Sequence, residues 1–261
     1  MTKIGQIEST YRFYDLECIA GDSSTYETIH VEDKVRFKVD ISRVYWCSKL
    51  ATERNRVISD LLKPTDVLCD MFCGVGPLAV KAAVKLPKLR VLANDLNPIA
   101  YEYLDKNIKL NKLGNRVVPF NMDARAYLRM LVDKDDKRAQ KRQVPLECLK
   151  FQHCMMNLPM DAVEFLDCFI GSFRNADHAV WLNQETGKLD LPMIHVYGFT
   201  SESSTDAALT YFVERIAKAM NYPAFSADNV TCFHAIRDVA PQSHMYSTSF
   251  RLPEEVALME T

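Results

Sequence analysis

The hydrophobic pattern of the chain changes period near residue 50. Before that point apolar and polar positions alternate. Leu16-Glu-Cys-Ile-Ala runs up to Gly21, and over Tyr26 to Val31 the alternation sets Ile29 and Val31 inward with Thr28 and His30 outward. Over Lys34 to Asp40 it sets Val35, Phe37 and Val39 on one face. Period-two patterning of this kind predicts half-buried strands. Val44-Tyr-Trp then leads through Ser48 to a helix predicted from about Leu50 to Leu62, closed ahead of Pro64. From residue 66 onward short apolar runs alternate with amphipathic stretches. Strands are predicted at Val67 to Cys69, in the run from Leu89 that ends in Asp95, from Arg116 to Asp123, from Phe151 to Asn157, and from Pro192 to Phe199. Helices are predicted near 78–86, 98–112, 124–132, 160–172 and 204–221. Val230 to Ala240 and His244 to Arg251 read as a terminal β-hairpin turning near Pro241. Alternating strands and helices imply an α/β fold with a mainly parallel sheet covered on both faces. The division expected is a β-rich segment over 1–48 and an α/β domain over 49–261.

Composition narrows the class without naming a function. The chain has 261 residues, 48% of them apolar and 25% charged, as in ordinary globular proteins. A formal net charge of −2 does not announce a nucleic-acid binder, although a local basic patch is compatible with it. The 8 cysteines show neither CxxC pairs nor metal-ligand spacing, and Cys69, Cys154, Cys168 and Cys232 sit in apolar runs. Reduced thiols in a reducing compartment are expected, with no metal and no disulfide. There is no run of about 18 apolar residues and no apolar signal core, so no membrane partner or secretion is expected.

Candidate chemistry concentrates at the strand ends. Val67 to Cys69 is followed by Asp70, a tight stretch with Gly74 and Gly76, and the amphipathic opening Leu78-Ala-Val-Lys. Strand, glycine turn and helix let a backbone approach a ligand closely, because glycine has no Cβ. The spacing matches neither the dinucleotide fingerprint nor a phosphate loop, and an ordinary strand-to-helix turn would look the same. Asp95 changes the balance. An acidic residue at the second strand tip, about 20 residues beyond the glycines, suits the two hydroxyls of a ribose. Asp123 ends the third strand, where it can meet an adenine edge, and Asn157-Leu-Pro ends the fourth. Ligands in open α/β sheets bind at these carboxyl ends.

Asp70-Met-Phe-Cys-Gly-Val-Gly-Pro, Ala93-Asn-Asp-Leu-Asn-Pro, the helix from Tyr101, Asn121-Met-Asp-Ala-Arg and Met156-Asn-Leu-Pro occur in this order. With Thr10-Tyr-Arg-Phe, Val44-Tyr-Trp, Leu50-Ala-Thr-Glu-Arg and Ile236-Arg-Asp-Val-Ala-Pro, they resemble the tRNA (guanine-37-N1) methyltransferases of the archaeal and eukaryotic type over nearly the whole chain. The resemblance implies a Rossmann-like class I methyltransferase with a seven-stranded sheet, S-adenosylmethionine as cofactor, tRNA with guanosine at position 37 as partner, and a monomer. It implies work in the cytoplasm, with the nucleus and the mitochondrial matrix as further settings. Glu53 matches the general base; the plainer alternative is a helix-surface glutamate paired with Arg56 or Lys49. Arg12 matches the arginine at guanine O6, and otherwise reads as a surface arginine beside aromatics. Asn157 matches the residue that positions the base; its alternative is to cap the helix after Pro159. For the cofactor the resemblance adds Leu96 against the adenine beside Asp95, Ala124 beside Asp123, Asp70 and Gly74 at the loop, and Arg54 toward the methionine end. Many relatives have histidine at position 54, and many have alanine where this chain has Cys73. The charged run 133–143 reads as a solvated loop ahead of a tRNA-binding one. Relatives carry a further N-terminal region that grips the outer corner of tRNA, so a fragment or a lineage without that module is expected. Two other functions stay open. One is the aminocarboxypropyl transferase of wybutosine synthesis, from which the Asn-Leu-Pro turn differs. The other is a methyltransferase-like fragment without turnover.

Overall fold

The structure, a computed structural model, describes residues 2–4, 15–19, 26–136, 138 and 150–260. In chain order the strands are β1 (Thr2–Ile4), β2 (Asp15–Glu17), β3 (Glu27–Glu32), β4 (Val35–Asp40), β5 (Val67–Asp70), β6 (Arg90–Asn94), β7 (Val117–Phe120), β8 (His153–Met156), β9 (Met193–Thr200), β10 (Val230–Ala240) and β11 (Ser243–Arg251). The helices that matter here are α1 (Ala51–Arg56), α2 (Pro77–Lys85), α3 (Pro98–Leu110), α4 (Ala124–Val132) and α5 (Thr205–Ala219). Strands β5 to β11 supply the seven strands of a mixed sheet, and short antiparallel pairs precede it. The chain forms two compact units, Met1–Asp66 with Cys73–Asp123, and Val67–Phe72 with Ala124–Thr261.

In the first unit β6 and β7 run parallel, from Val91 opposite Val117 to Asn94 opposite Phe120. The β3–β4 hairpin turns at Asp33 and Lys34, both with positive φ, the backbone shape that a two-residue hairpin loop requires. It is fastened to α3 by two asparagines one helical turn apart. Asn107 accepts from the Lys38 N–H at 2.7 Å and donates to the Lys38 carbonyl at 3.1 Å. Asn111 makes the same exchange with Arg36 at 3.1 and 2.7 Å. The two side chains thus pair with the free edge of β4 as a neighbouring strand would. In the second unit the strand order is β10-β11-β9-β8-β5. β5, β8 and β9 are mutually parallel, and β11 runs antiparallel to β9 and β10. β5 is buried at every position, as a strand covered on both faces should be. The terminal hairpin turns at Pro241 and Gln242, as the pattern predicts.

Three expectations are corrected. On β3 the inward set is reversed: Ile29 and Val31 are 46% and 58% exposed, while Glu32 is buried. The register explains it. Glu32 lies opposite Val35 and His30 opposite Phe37, directly paired residues share a face, and Val35 and Phe37 face the core. The helix expected over 50–62 is three pieces: a 3-10 turn at Ser48–Leu50, α1, and a π-helical turn at Val57–Leu61 closed by Leu62 N–H donating to Val57. The helix expected over 160–172 is a 3-10 helix, Glu164–Phe169, after a series of turns. Its N–H groups reach back only three residues, Phe165 to Ala162 and Leu166 to Val163, and Ile170, in extended backbone, ends it. Among the described residues no helix is long and apolar enough to cross a membrane. Most of the charged run 133–143 lies outside the described residues.

Candidate functional site

In the first unit the glycine turn is built around Asp95. Cys73 N–H donates to the Asn94 carbonyl at 2.8 Å, setting the loop over the end of β6. Gly76, at φ +86°, has no room for a side chain, since a Cβ there would lie 2.5 Å from Leu104 Cδ1 of α3. Gly74, at φ +56°, faces open space, with nothing within 4 Å of where a Cβ would be. Its N–H donates to Asp95 Oδ2 at 2.7 Å, and the Asn97 N–H donates to Oδ1 at 2.9 Å. One carboxylate therefore locks the turn to the start of α3. Each oxygen has taken one donor and keeps acceptor capacity for another. Burial pushes the Asp95 carboxyl above the usual carboxylate range, and the N–H groups of Asn97 and Gly74 offset part of that.

Three asparagines that sequence reasoning passed over complete this tip. Asn121 Nδ2 donates to the carbonyls of Asp95 and Leu96 at 2.8 and 3.0 Å. Asn94 exchanges two bonds of 3.0 Å with the Met122 backbone, just ahead of the exposed Asp123. Asn97 caps α3 by accepting from Ile99 N–H and donates to the Arg43 carbonyl. The available signal was the recurrence of asparagine beside Asp95 and Asp123. Leu96, held at its backbone by Asn121, is 46% exposed.

On α1, also in the first unit, neighbouring residues serve different partners. Arg54 is buried and forks onto Glu32, with Nε 3.0 Å from Oε1 and Nη2 on Oε2. Its Nη1 also donates to the Cys47 carbonyl at 3.3 Å. Lys81 of α2, fully buried, reaches Glu32 Oε1 at 2.6 Å and Asp33 at 2.7 Å. Burial alone would raise the Glu32 carboxyl; hydrogen bonds from Arg54 and Lys81 outweigh it and hold the group below the usual range. Glu53 is 5% exposed and accepts from Arg56 through both oxygens, Nε to Oε2 and Nη2 to Oε1, each at 2.8 Å. The partner is the one foreseen for a surface glutamate, but Glu53 is buried and Arg56 only partly exposed. Arg12 lies outside the described residues.

In the second unit Asp70 ends β5, 3% exposed, with Oδ1 3.4 Å from Phe72 N–H. Met71 N–H donates to the Met155 carbonyl at 3.0 Å, extending the β5–β8 pairing past the strand. Ala124 is the buried first residue of α4. Arg125 stacks 4.1 Å over Phe165 and forks onto Asp167. Phe72 meets the same ring edge-on at 5.0 Å. Asn157, half-buried after β8, does not cap the next segment; Asp161 and Ala162 N–H groups turn to the Leu158 carbonyl at 2.9 and 2.7 Å. Its side-chain amide makes no hydrogen bond among the described residues.

The chain is similar to known proteins over most of its length. The family described as TRM5/TYW2 methyltransferase domain matches residues 28–222. The tRNA (guanine(37)-N(1))-methyltransferase 1 of Vitis vinifera is 40% identical over 256 residues, 98% of this chain and 37% of its own. The crystal structure of Trm5b from Pyrococcus abyssi superposes with a TM-score of 0.65 at 32% identity, covering 95% of this chain and 62% of that one. The structure of Methanocaldococcus jannaschii Trm5 in complex with adenosine gives 0.62 at 28% identity, covering 91% and 58%. The chain spans between 37% and 63% of the lengths of such curated relatives.

Proposed function

This chain belongs to the TRM5/TYW2 methyltransferase family, and from that premise we propose that it methylates N1 of guanosine 37 of tRNA, next to the anticodon. The observation that carries the reading is the Gly74–Asp95 lock within a chain 40% identical, over 98% of its length, to a tRNA (guanine(37)-N(1))-methyltransferase. A monomer working in the cytoplasm, with nucleus and mitochondrial matrix as further settings, goes with the same reading.

The residues fit S-adenosylmethionine. Gly74 opens onto free space, Asp95 keeps acceptor capacity on both oxygens, and an exposed leucine stands beside it. When bound, S-adenosylmethionine supplies a methyl group on a sulfonium. Asp95 takes the ribose hydroxyls and Leu96 covers the adenine, with Asp123 at the adenine edge. The resemblance assigns Ala124 to the adenine and Asp70 to the methionyl amine. Arg54 serves the methionine end by fixing α1, since its fork is engaged by Glu32.

N1 of guanine carries a proton that must leave as the nitrogen becomes a nucleophile, and negative charge then builds on O6. Glu53 takes the proton as general base. Arg12 donates to O6, where the charge develops, and the resemblance assigns the ring edge to Asn157. The test is methyl transfer from labelled S-adenosylmethionine to unmodified tRNA transcripts. Label from the methyl group should enter a transcript with guanosine at 37 and not one with adenosine there. Label entering from the aminocarboxypropyl chain would replace this reading with the wybutosine-type transfer, and no label from either source would leave a fragment without turnover.

A further inference from the structure

We propose that Arg56 is the positioning residue of the base, holding the Glu53 carboxylate in one orientation while it accepts the N1 proton. The proposal rests on the reading of Glu53 given above and extends it to a second side chain.

The geometry is that of an oriented base. Two parallel N–H···O bonds of 2.8 Å join the guanidinium to both carboxylate oxygens. A fork of this kind fixes the plane of the carboxylate as well as its place. The pair is not a surface ornament, since the side chains are only 4% and 14% exposed. In such surroundings an ion pair is screened little, and removing the cation strands a buried charge. Arg54, one residue past Glu53, cannot do this work, because its fork is committed to Glu32. The π-helical turn begins at Val57, directly after Arg56, and π turns inside helices recur at functional sites.

Each oxygen of the carboxylate gives one acceptor position to the fork, and in the proposed role the N1–H meets a second acceptor position on one of them. As the N1–H bond breaks, the proton passes to a Glu53 oxygen and its electron pair stays on N1. Glu53 is then neutral beside a guanidinium that retains its hydrogen bonds to it. The proton then passes from Glu53 to water, which restores the carboxylate for the next turnover. A base oriented by a third group is the arrangement found where a nucleophile must be activated without delay for reorientation.

The test is single-turnover methyl transfer to the guanosine-37 transcript at saturating protein, for wild type, E53Q, R56Q, R56K and the double variant E53Q/R56Q. E53Q should slow the step about a hundredfold or more. R56Q should slow it about tenfold or more through misplacement of the base. R56K, which keeps the charge and loses the fork, should fall between R56Q and wild type. S-adenosylmethionine affinity should stay within about twofold throughout. The double variant should be no slower than E53Q alone, because Arg56 acts through Glu53. A merely structural arginine would give losses that multiply, and that result overturns the proposal, as does R56Q at the wild-type rate or faster. Should R56Q fail to fold, R56K alone and in the double variant decides by the same criterion. E53Q at the wild-type rate overturns the base assignment itself and the role of Arg56 with it, and an inactive wild type overturns both together with the function.

Discussion

At the scale of single residues, the proposed ribose contact of Asp95 would tie protonation to ligand binding. Its carboxyl is raised by burial and partly restored by the Asn97 and Gly74 N–H groups. Ribose hydroxyls donate to the ionised form, so affinity should fall as pH drops through this raised value, earlier than for an ordinary aspartate near about 3.9. The sign for the empty protein is opposite. A folded value above the unfolded one contributes stability that is present below the unfolded value and is lost as pH rises through the folded one. Calorimetric titration with S-adenosylhomocysteine should therefore show wild-type affinity weakening at a higher pH than the titration of an ordinary aspartate would produce. D95N should bind weakly at every pH. A flat wild-type profile would assign the ribose contact to another group. Gly74 and Asp95 were legible in the sequence because strand tips and glycine turns are local signals. The partners of Arg54 and Glu53 were a different matter. Which of several nearby charges an arginine selects depends on where its helix packs, and Glu32 comes from a separate hairpin.

At the scale of elements, the asparagine pair on α3 bears the attachment of the β3–β4 hairpin. Asn107, fully buried, bonds Lys38 N–H, the Lys38 carbonyl and the Val75 carbonyl. N107A leaves these backbone groups without a partner and should cost about 3 kcal/mol in denaturant unfolding. N111A, at the more exposed end, should cost about 1 kcal/mol. Equal small losses would mean that water replaces both amides and that apolar contacts hold the hairpin. The helices α2, α3, α4 and α5 were visible as amphipathic runs. The parity of β3 was not. Alternation says that two sets of residues face opposite ways, while register with β4 decides which set is inside. The segment after Pro159 was read as a helix from its apolar spacing, but its hydrogen bonds close at three residues, a distinction that composition does not carry.

At the scale of the whole molecule, a ligand that binds the folded chain should stabilise it by mass action. S-adenosylhomocysteine at a hundred times its Kd is worth about 2.7 kcal/mol, a rise in Tm of roughly 5–10 °C for a chain of this size. D95A should show little of this shift at the same concentration. A full shift in D95A would move the binding site away from the Gly74–Asp95 lock.

The amino-acid sequence by itself determined the α/β class, the order of strands and helices from residue 66, the glycine turn and the acidic strand tips. These follow from short-range periodicity and from glycine's conformational freedom, both written locally in the chain. Only the tertiary structure decided which face of β3 is buried, that Glu32 gathers Arg54 and Lys81, and that Glu53 is gripped by Arg56 away from solvent. Those outcomes depend on register and on desolvation. A charged side chain chooses its partner according to what the folded chain brings within reach after water has been removed.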